Sequence, residues 1–575
     1  MILQALTDYY EDLLALGKIA RPGWAKAKVS WALELSDNGE LLGLLHLQQE
    51  VQRGKKTVLI PQEREVPQPV KRSSGVAANF LCDTSGYLLG ADAKGKPERT
   101  AECFEASRTL HEQILKEAQS SAAHAVLAFY EHWNPQTAKD HPALKEEWDE
   151  VMKGGNLLFW YRGGPVTEDT QVRERWQHAN EQSGDAENTM CLVTGHHGPT
   201  ARLHPNIKGV VGAQTAGAAL VSFNAPAFCS YEHEQGDNAP TGEYASFAYT
   251  TALNTLIADR EHTRRVGDTT IVCWAAGGQP VYQDFMMAAL YDDNMDERDI
   301  QSTMIRLAEG EPVDWQEQKL SPDTRFYVLG LAPNAARLSV RFFWQNSFGT
   351  LIQNVTKHYR DLEIVRPSFD KFPTLPVWRL LRETVNQNAR NPEPNPRLAG
   401  DLLLSILNGT PYPATLLDGV VLRIRAEREI TRGRAAIVKA WYLRNMKDEQ
   451  LKEVMTVELN EQSNYLPYLL GRLFAVLEGV QQRANPGINT TIKDRYFNSA
   501  SATPATVFPL LINLAQKHLA KLDGGMAIYY NRKITELNSR IAQTLPARLT
   551  LPEQSAFQIG YYHETQKRYT KKEEV

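Results

Sequence analysis

The apolar pattern changes character along the chain. Short alternating runs such as KVSWALEL and KTVLIP, separated by proline-bearing loops, predict strands in the first hundred residues. A helical spacing follows in CFEASRTLHEQILKEA, where Phe104, Leu110, Ile114 and Leu115 recur on one face. NLLFWY, TMCLVT, AALVSF and TTIVCWAA then predict strands, with a helix over GEYASFAYTTALNTLIA. In RFYVLGLAPNAARLSVRFFW two β-rich runs flank APNA and predict a hairpin. Its second run should turn Leu338, Val340 and Phe342 to one face and Arg337, Ser339 and Arg341 to the other.

From about residue 347 the spacing is mostly helical. The stretches NYLPYLLGRLFAVLEGVQQRA, ATVFPLLINLAQKHLAKL and MAIYYNRKITELNSRIAQTL predict amphipathic helices of a bundle. The fold class expected is α+β: a mixed α/β body over residues 1 to about 440, then a helical bundle from about 445 to 575. At 575 residues the chain is long enough for several domains, and 42% apolar residues supply their cores.

The net charge of −5 rules out a polycation, so contact with a polyanion must come from local patches. The charge is uneven: Gly471 to Val575 holds 14 Lys/Arg against 8 Asp/Glu, a net of +6. A second cationic stretch carries Arg423, Arg425, Arg428, Arg432, Arg434, Lys439 and Arg444. Five cysteines without a C-x-x-C pair fit a reducing compartment. The N-terminus carries Asp8, Glu11 and Asp12 and reads as no signal peptide. With no apolar run of membrane-spanning length, a soluble cytoplasmic protein is expected.

Candidate chemistry centres on ARLHPNIKGVVGAQTAGAALVSFN, residues 201–224, where glycines lie beside Arg202, His204 and Lys208. Exposed amides and cations suit a phosphate, owned either by a nucleotide or by a nucleic-acid backbone. The loop matches neither common nucleotide-binding glycine motif. Adjacent His196 and His197 lack metal-site spacing, and no hydrolase, zincin or cysteine-nucleophile signature occurs. Nothing in the chain demands catalysis, a metal or a cofactor, and none is expected. The alternative is a phosphate-ligand enzyme using the 201–224 loop.

The blocks VKRSSGVAANFLCDTSGYLLG, CLVTGHHGPTARLHPNIKGVVGAQTAGAALVSFN, NAPTGEYASFAYTTALN, FYVLGLAPNAARLSVRFFW and NPGINTTIKDRYFNSASATPATVFPLLINLAQKHLAKL occur in this order, nearly end to end. Together they resemble the large subunit of the type I-C CRISPR Cascade, an RNA-guided DNA surveillance complex. The resemblance implies a DNA-binding subunit that recognises the protospacer-adjacent motif, helps open the duplex and stabilises the R-loop. It implies as partners a guide RNA, double-stranded target DNA with its displaced strand, other Cascade backbone and small subunits, and a separate helicase-nuclease. It also implies a small subunit made from an internal start, for which Met446, Leu451 and Met455 are candidates.

Three residue sets follow as candidates. Lys71, Arg72, Ser73, Ser74 and Asn79 sit in a small-residue segment suited either to a duplex groove or to a plain turn. Arg202, His204, Lys208, Gln214 and Asn224 are candidates for DNA, guide or subunit contact. Arg483, Lys493, Arg495, Lys517, Lys521, Arg532 and Lys533, with Tyr496 and Phe497 as stacking platforms, are candidates for the displaced strand.

Overall fold

KVSWALEL lies within strand β1 (Trp24–Leu35), whose two halves have different neighbours. The computed structural model describes residues 1–53, 56–70, 75–93, 97–181, 188–291, 297–390, 392–541 and 544–569. Its first compact unit comprises Leu3–Leu203 with Phe223–Tyr249. There β1 pairs antiparallel with β2 (Leu41–His46) through its second half and with β4 (Lys56–Pro67) through its first. Strand β3 (Gln48–Arg53) extends β4, and β5 (Cys82–Asp83) closes the far edge. Strand β6 (Asn156–Tyr161) runs parallel to β1, and the short β7 (Gly164–Pro165) pairs with β6.

The second half of β1 is buried on both faces. Trp31, Leu33 and Leu35 meet the helices Pro97–Leu115 and Ser121–His132 through Phe104, Leu115, Val126 and Phe129. Ala32 joins Val66, Cys82 and Leu158 in a smaller cluster on the other face. The TMCLVT run yields only β8 (Asn188–Met190), paired with β9 (His197–Pro199).

The second unit, His204–Ser222 and Thr250 onward, carries a four-stranded antiparallel sheet. Its order is β10 (Arg264–Val266), β11 (Thr269–Ala275), β14 (Arg325–Asn334) and β15 (Arg337–Ser347); β12 (Val313–Trp315) and β13 (Gln318–Leu320) form a separate ribbon. The predicted hairpin is present, but its alternation is not. A bulge opposite Gly330/Leu331 skips Arg341, so Leu338, Phe342 and Trp344 are buried while Val340 is 39% exposed. Arg341 is tied to Asp268 at 2.6 Å. AALVSF forms no strand; it makes only single bridges, Ala218 to Ile207 and Ala219 to Arg337.

The boundary expected at 440–445 is not where the units part. One apolar core runs through it, joining Val438 and Leu451 to Leu470, Phe474 and Phe557. Across it Ser555 Oγ donates to the buried Tyr442 hydroxyl at 3.1 Å. The helices Leu466–Ala484, Ile492–Ala502, Pro504–Leu519, Gly524–Arg540 and Leu551–Tyr569 do form a helical C-terminal region, but its core is shared with the preceding helices.

Candidate nucleic-acid interface

Of the first residue set, Lys71, Arg72, Ser73 and Ser74 lie outside the described residues; Asn79 does not. Its side-chain carbonyl accepts from the Val70 amide at 3.0 Å, so it ties together the two ends of the segment between them. Asn79 N–H in turn donates to Asp83 Oδ2 at 2.9 Å, and Thr84 N–H to Asp83 Oδ1 at 2.7 Å. Asn79 is thus an anchor, with its oxygen already engaged.

The floor beneath this anchor is over-determined. Leu81 has φ +57°, a conformation side chains disfavour, and its N–H donates to His111 Nε2 at 2.8 Å. His111 Nδ1 donates to Ser107 O at 2.6 Å, which sets the neutral tautomer; burial pushes its pKa down to about 4. Phe80 stacks on Trp176 with centroids 5.3 Å apart. Arg99 reaches Gly75 O at 3.1 Å on the loop's other side.

The second set is divided between the units. Arg202 and Asn224 belong to the first, while His204, Lys208 and Gln214 belong to the second; all but the half-buried His204 are exposed. Several of the loop's amides are spent on its own fold. Ile207 and Ala218 exchange backbone hydrogen bonds at 2.9 Å, Lys208 N–H goes to Asn254 Oδ1 at 2.7 Å, and Val211 N–H to Thr270 Oγ1 at 3.2 Å. Gly217 needs its φ of +92°, since a methyl there would meet Ile207 O at 2.8 Å. These glycines serve a tight hairpin on the sheet edge and provide no phosphate cradle leading into a helix.

The third set is mostly at the surface. Arg483, Arg495, Lys517, Lys521 and Arg532 are exposed and Lys493 is half-buried. Lys521 Nζ lies 3.5 Å from Asn485 Oδ1, and Asn485 Nδ2 lies 3.2 Å from His518, bringing the ends of two helices together beside Arg483. Lys533 differs: it is bonded to Glu564, a carboxylate 3% exposed that also accepts from Arg472 at 3.1 Å. Phe497 is no platform; it is 1% exposed and packs on Phe474, Phe557 and Tyr561. The 423–444 cations split likewise, for Arg432, Arg434, Lys439 and Arg444 are bound internally to Asp370, Glu427, the Asp361 carbonyl and the Asp361 carboxylate.

Comparison with known proteins decides the family. The family model described as CRISPR-associated protein (Cas_Csd1) matches residues 6–569. The chain belongs to the Cas_Csd1 family. No curated protein matches it. As a Cas_Csd1 member it is a CRISPR-associated protein of the Cascade type, with a role in a complex with other CRISPR-associated proteins.

Two features of this Cas_Csd1 chain escaped the sequence reading. The helix Leu551–Tyr569 buries Phe557, Ile559 and Tyr561, although its mixed polar sequence gives little periodic signal; Gly560 was the available hint. Cys191, assigned no role from the sequence, lines a 610 Å³ cavity with Asp8, Glu11, His196 and His197. Burial would raise its pKa, but hydrogen bonds from the Thr194 side chain and from backbone amides including Gly242 outweigh it and hold the thiol below its usual value. Among the described residues no cluster of three His, Cys, Asp or Glu is placed to hold a metal, and no helix is long and apolar enough to cross a membrane.

Proposed function

We propose that this chain is the large subunit of a type I-C Cascade. It recognises the protospacer-adjacent motif, aids duplex opening and stabilises the R-loop in the cytoplasm, without catalysing a reaction. Cutting is left to a separate helicase-nuclease. The observation that carries this reading is the family match along nearly the whole chain. The physical division of labour agrees with it: guide pairing reads the sequence, and the protein supplies motif and backbone contacts to a nearly balanced strand exchange.

In this reading the 70–79 segment, tied off by Asn79, presents Lys71, Arg72, Ser73 and Ser74 to the duplex. The exposed cations of the C-terminal helices, Arg483 to Arg532, lie along the displaced strand, and initiation at Met446, Leu451 or Met455 makes that region separately as a small subunit. The alternative, a phosphate-ligand enzyme using the 201–224 loop, is disfavoured in this reading, since the Ile207, Lys208, Val211 and Ala218 amides already donate within the protein.

The test is salt-dependent DNA binding by the guide-loaded complex, wild type against Lys71→Ala/Arg72→Ala, on targets with the correct or a scrambled adjacent motif. Loss of discrimination assigns motif reading to this segment. A uniform loss, with the salt slope reduced by about 0.9 per contact removed, makes the two residues phosphate contacts. Unchanged binding and unchanged discrimination refute the assignment.

A further inference from the structure

Residues 366–382 carry a basic and aromatic surface in the second unit that none of the three residue sets includes. Phe369 is 84% exposed, Phe372 39% and Trp378 37%, in a stretch of 10 residues. Arg366, Lys371 and Arg382 are exposed between and beside them. Arg379 lies 4.3 Å from the Phe372 ring centroid and Arg382 5.9 Å from that of Trp378, so cations and rings are already paired.

The strip is held in shape. Arg432 donates to the Phe372 carbonyl at 2.5 Å, to the Pro373 carbonyl at 2.6 Å and to Asp370 at 3.1 Å. Asp370, only 9% exposed, accepts from Phe372 N–H at 3.1 Å and faces Arg379 at 3.7 Å, so its charge is neutralised inward. The acid in the middle of the strip therefore does not repel a polyanion. The rings need no reordering to receive a partner.

The strip borders a 490 Å³ cavity, within the range of about 300–1,000 Å³ typical of small-molecule sites. Among the described residues, Met304, Ile364 and Leu375 make apolar walls, and Arg360, Arg366 and Arg432 line the cavity with cations alongside the carboxylate of Glu363. Two buried polar atoms of the lining, Thr356 Oγ1 and Arg432 Nε, have no hydrogen-bond partner.

We propose that this strip and cavity bind a single nucleic-acid strand. Bases stack on Phe369, Phe372 and Trp378, and one nucleotide enters the cavity with its phosphate on Arg360 and Arg366. The inference rests on the reading of this chain as a DNA-recognition subunit. It assigns the unpaired strand a surface outside the C-terminal cations. Flat exposed rings beside cations suit unpaired bases, because a duplex hides the base faces that stack.

The test uses the guide-loaded complex and a thymine-rich single strand carrying 2-aminopurine at successive positions. Wild type should quench the probe, most strongly at the position that enters the cavity. Phe369→Ala/Trp378→Ala should restore fluorescence and weaken strand binding about tenfold to hundredfold per stacked base lost. Phe369→Tyr should retain the quench, and Arg366→Gln should lower the salt slope by about 0.7. Because Phe369 is 84% exposed, Phe369→Tyr should keep the wild-type melting temperature, and Phe369→Ala alone separates lost stacking from any destabilisation by Trp378→Ala. Affinity and quench within twofold of wild type in the double variant overturn the proposal. So does a complex in which the variant loses a protein subunit but no strand affinity, which would make the strip a protein interface. Motif preference on duplex targets, measured in the same complexes, judges the underlying reading separately: its absence in wild type removes that reading whatever the strip binds.

Discussion

A methyl group on Gly471 would lie 2.0 Å from Phe557 O, and one on Gly560 2.2 Å from Tyr468 O. The helices Leu466–Ala484 and Leu551–Tyr569 thus cross at near backbone contact, and each glycine faces a carbonyl of the other helix. Ordinary carbon contacts begin near 3.4 Å, so Gly471→Ala leaves its methyl about 1.4 Å too close to Phe557 O and forces the helices apart. Both obstructing atoms are backbone and cannot swing aside. Overpacking of this kind costs about 3 kcal/mol at the upper end of its usual range. Replacing a helical glycine returns about 1 kcal/mol of propensity, leaving a net loss of about 2 kcal/mol.

Thermal unfolding of the full chain, followed by far-UV circular dichroism, should show the later helical transition about 4 °C lower for either variant. The double variant should lose less than the sum, because helices already parted have room for the second methyl. Two controls fix the sign. Gly400 lies in the helix Pro396–Asn408 with nothing within 4 Å of its added carbon, so Gly400→Ala should stabilise by about 1 kcal/mol. Gly479→Ala meets the Arg568 guanidinium, a side-chain end held by the Ala475 carbonyl and Gln482, and should cost less than Gly471→Ala, whose obstruction is backbone. If Gly471→Ala is as stable as wild type while Gly400→Ala gains as stated, the close crossing is refuted.

Arg472→Met leaves the buried Glu564 with Lys533 alone and should cost about 3–5 kcal/mol in the same melts, much of it recovered by adding Glu564→Leu; no recovery would refute the charge explanation. His262, 9% exposed, lies between Asp259 at 2.6 Å and Asp284 at 2.5 Å; burial lowers its pKa, but the two carboxylates outweigh it and raise the value overall. Its contribution to stability is therefore complete below about pH 6.5 and fades as the pH rises through the raised value. His262→Gln should cost more at pH 6 than at pH 9, and equal costs would refute the pairing. Alkylation of Cys191, read by mass spectrometry against pH, should have its midpoint below that of Cys82, whose thiol is pushed up to about 12 by burial. Thr194→Val should raise the Cys191 midpoint, and an unmoved midpoint would refute the role of the threonine.

The α+β class and most helices were legible because 3.6-residue periodicity is a local property. The run GEYASFAYTTALNTLIA became the helix Glu243–Ala258, and the basic stretch at 414–445 became two helices. The break between them, at Arg428 with φ +56°, left no mark in the composition. Val340 was wrongly grouped with Phe342 because the skipped Arg341 puts Phe342 and every following position on the opposite face from Val340. For the candidate site the sequence supplied the right residue types but not their availability. Arg444 and Lys533 look like their exposed neighbours in the one-letter code, yet each is held by a carboxylate, 83 and 31 residues away. Phe497 and Phe369 are the same residue, one in the core and one 84% exposed.

What the sequence determined by itself was the family, the order of the elements and the inventory of cations and rings, since these depend on identity and near-neighbour spacing. Which of those groups face outward was settled only by tertiary structure. Exposure and charge pairing depend on partners distant along the chain, and folding brings those partners together or keeps them apart.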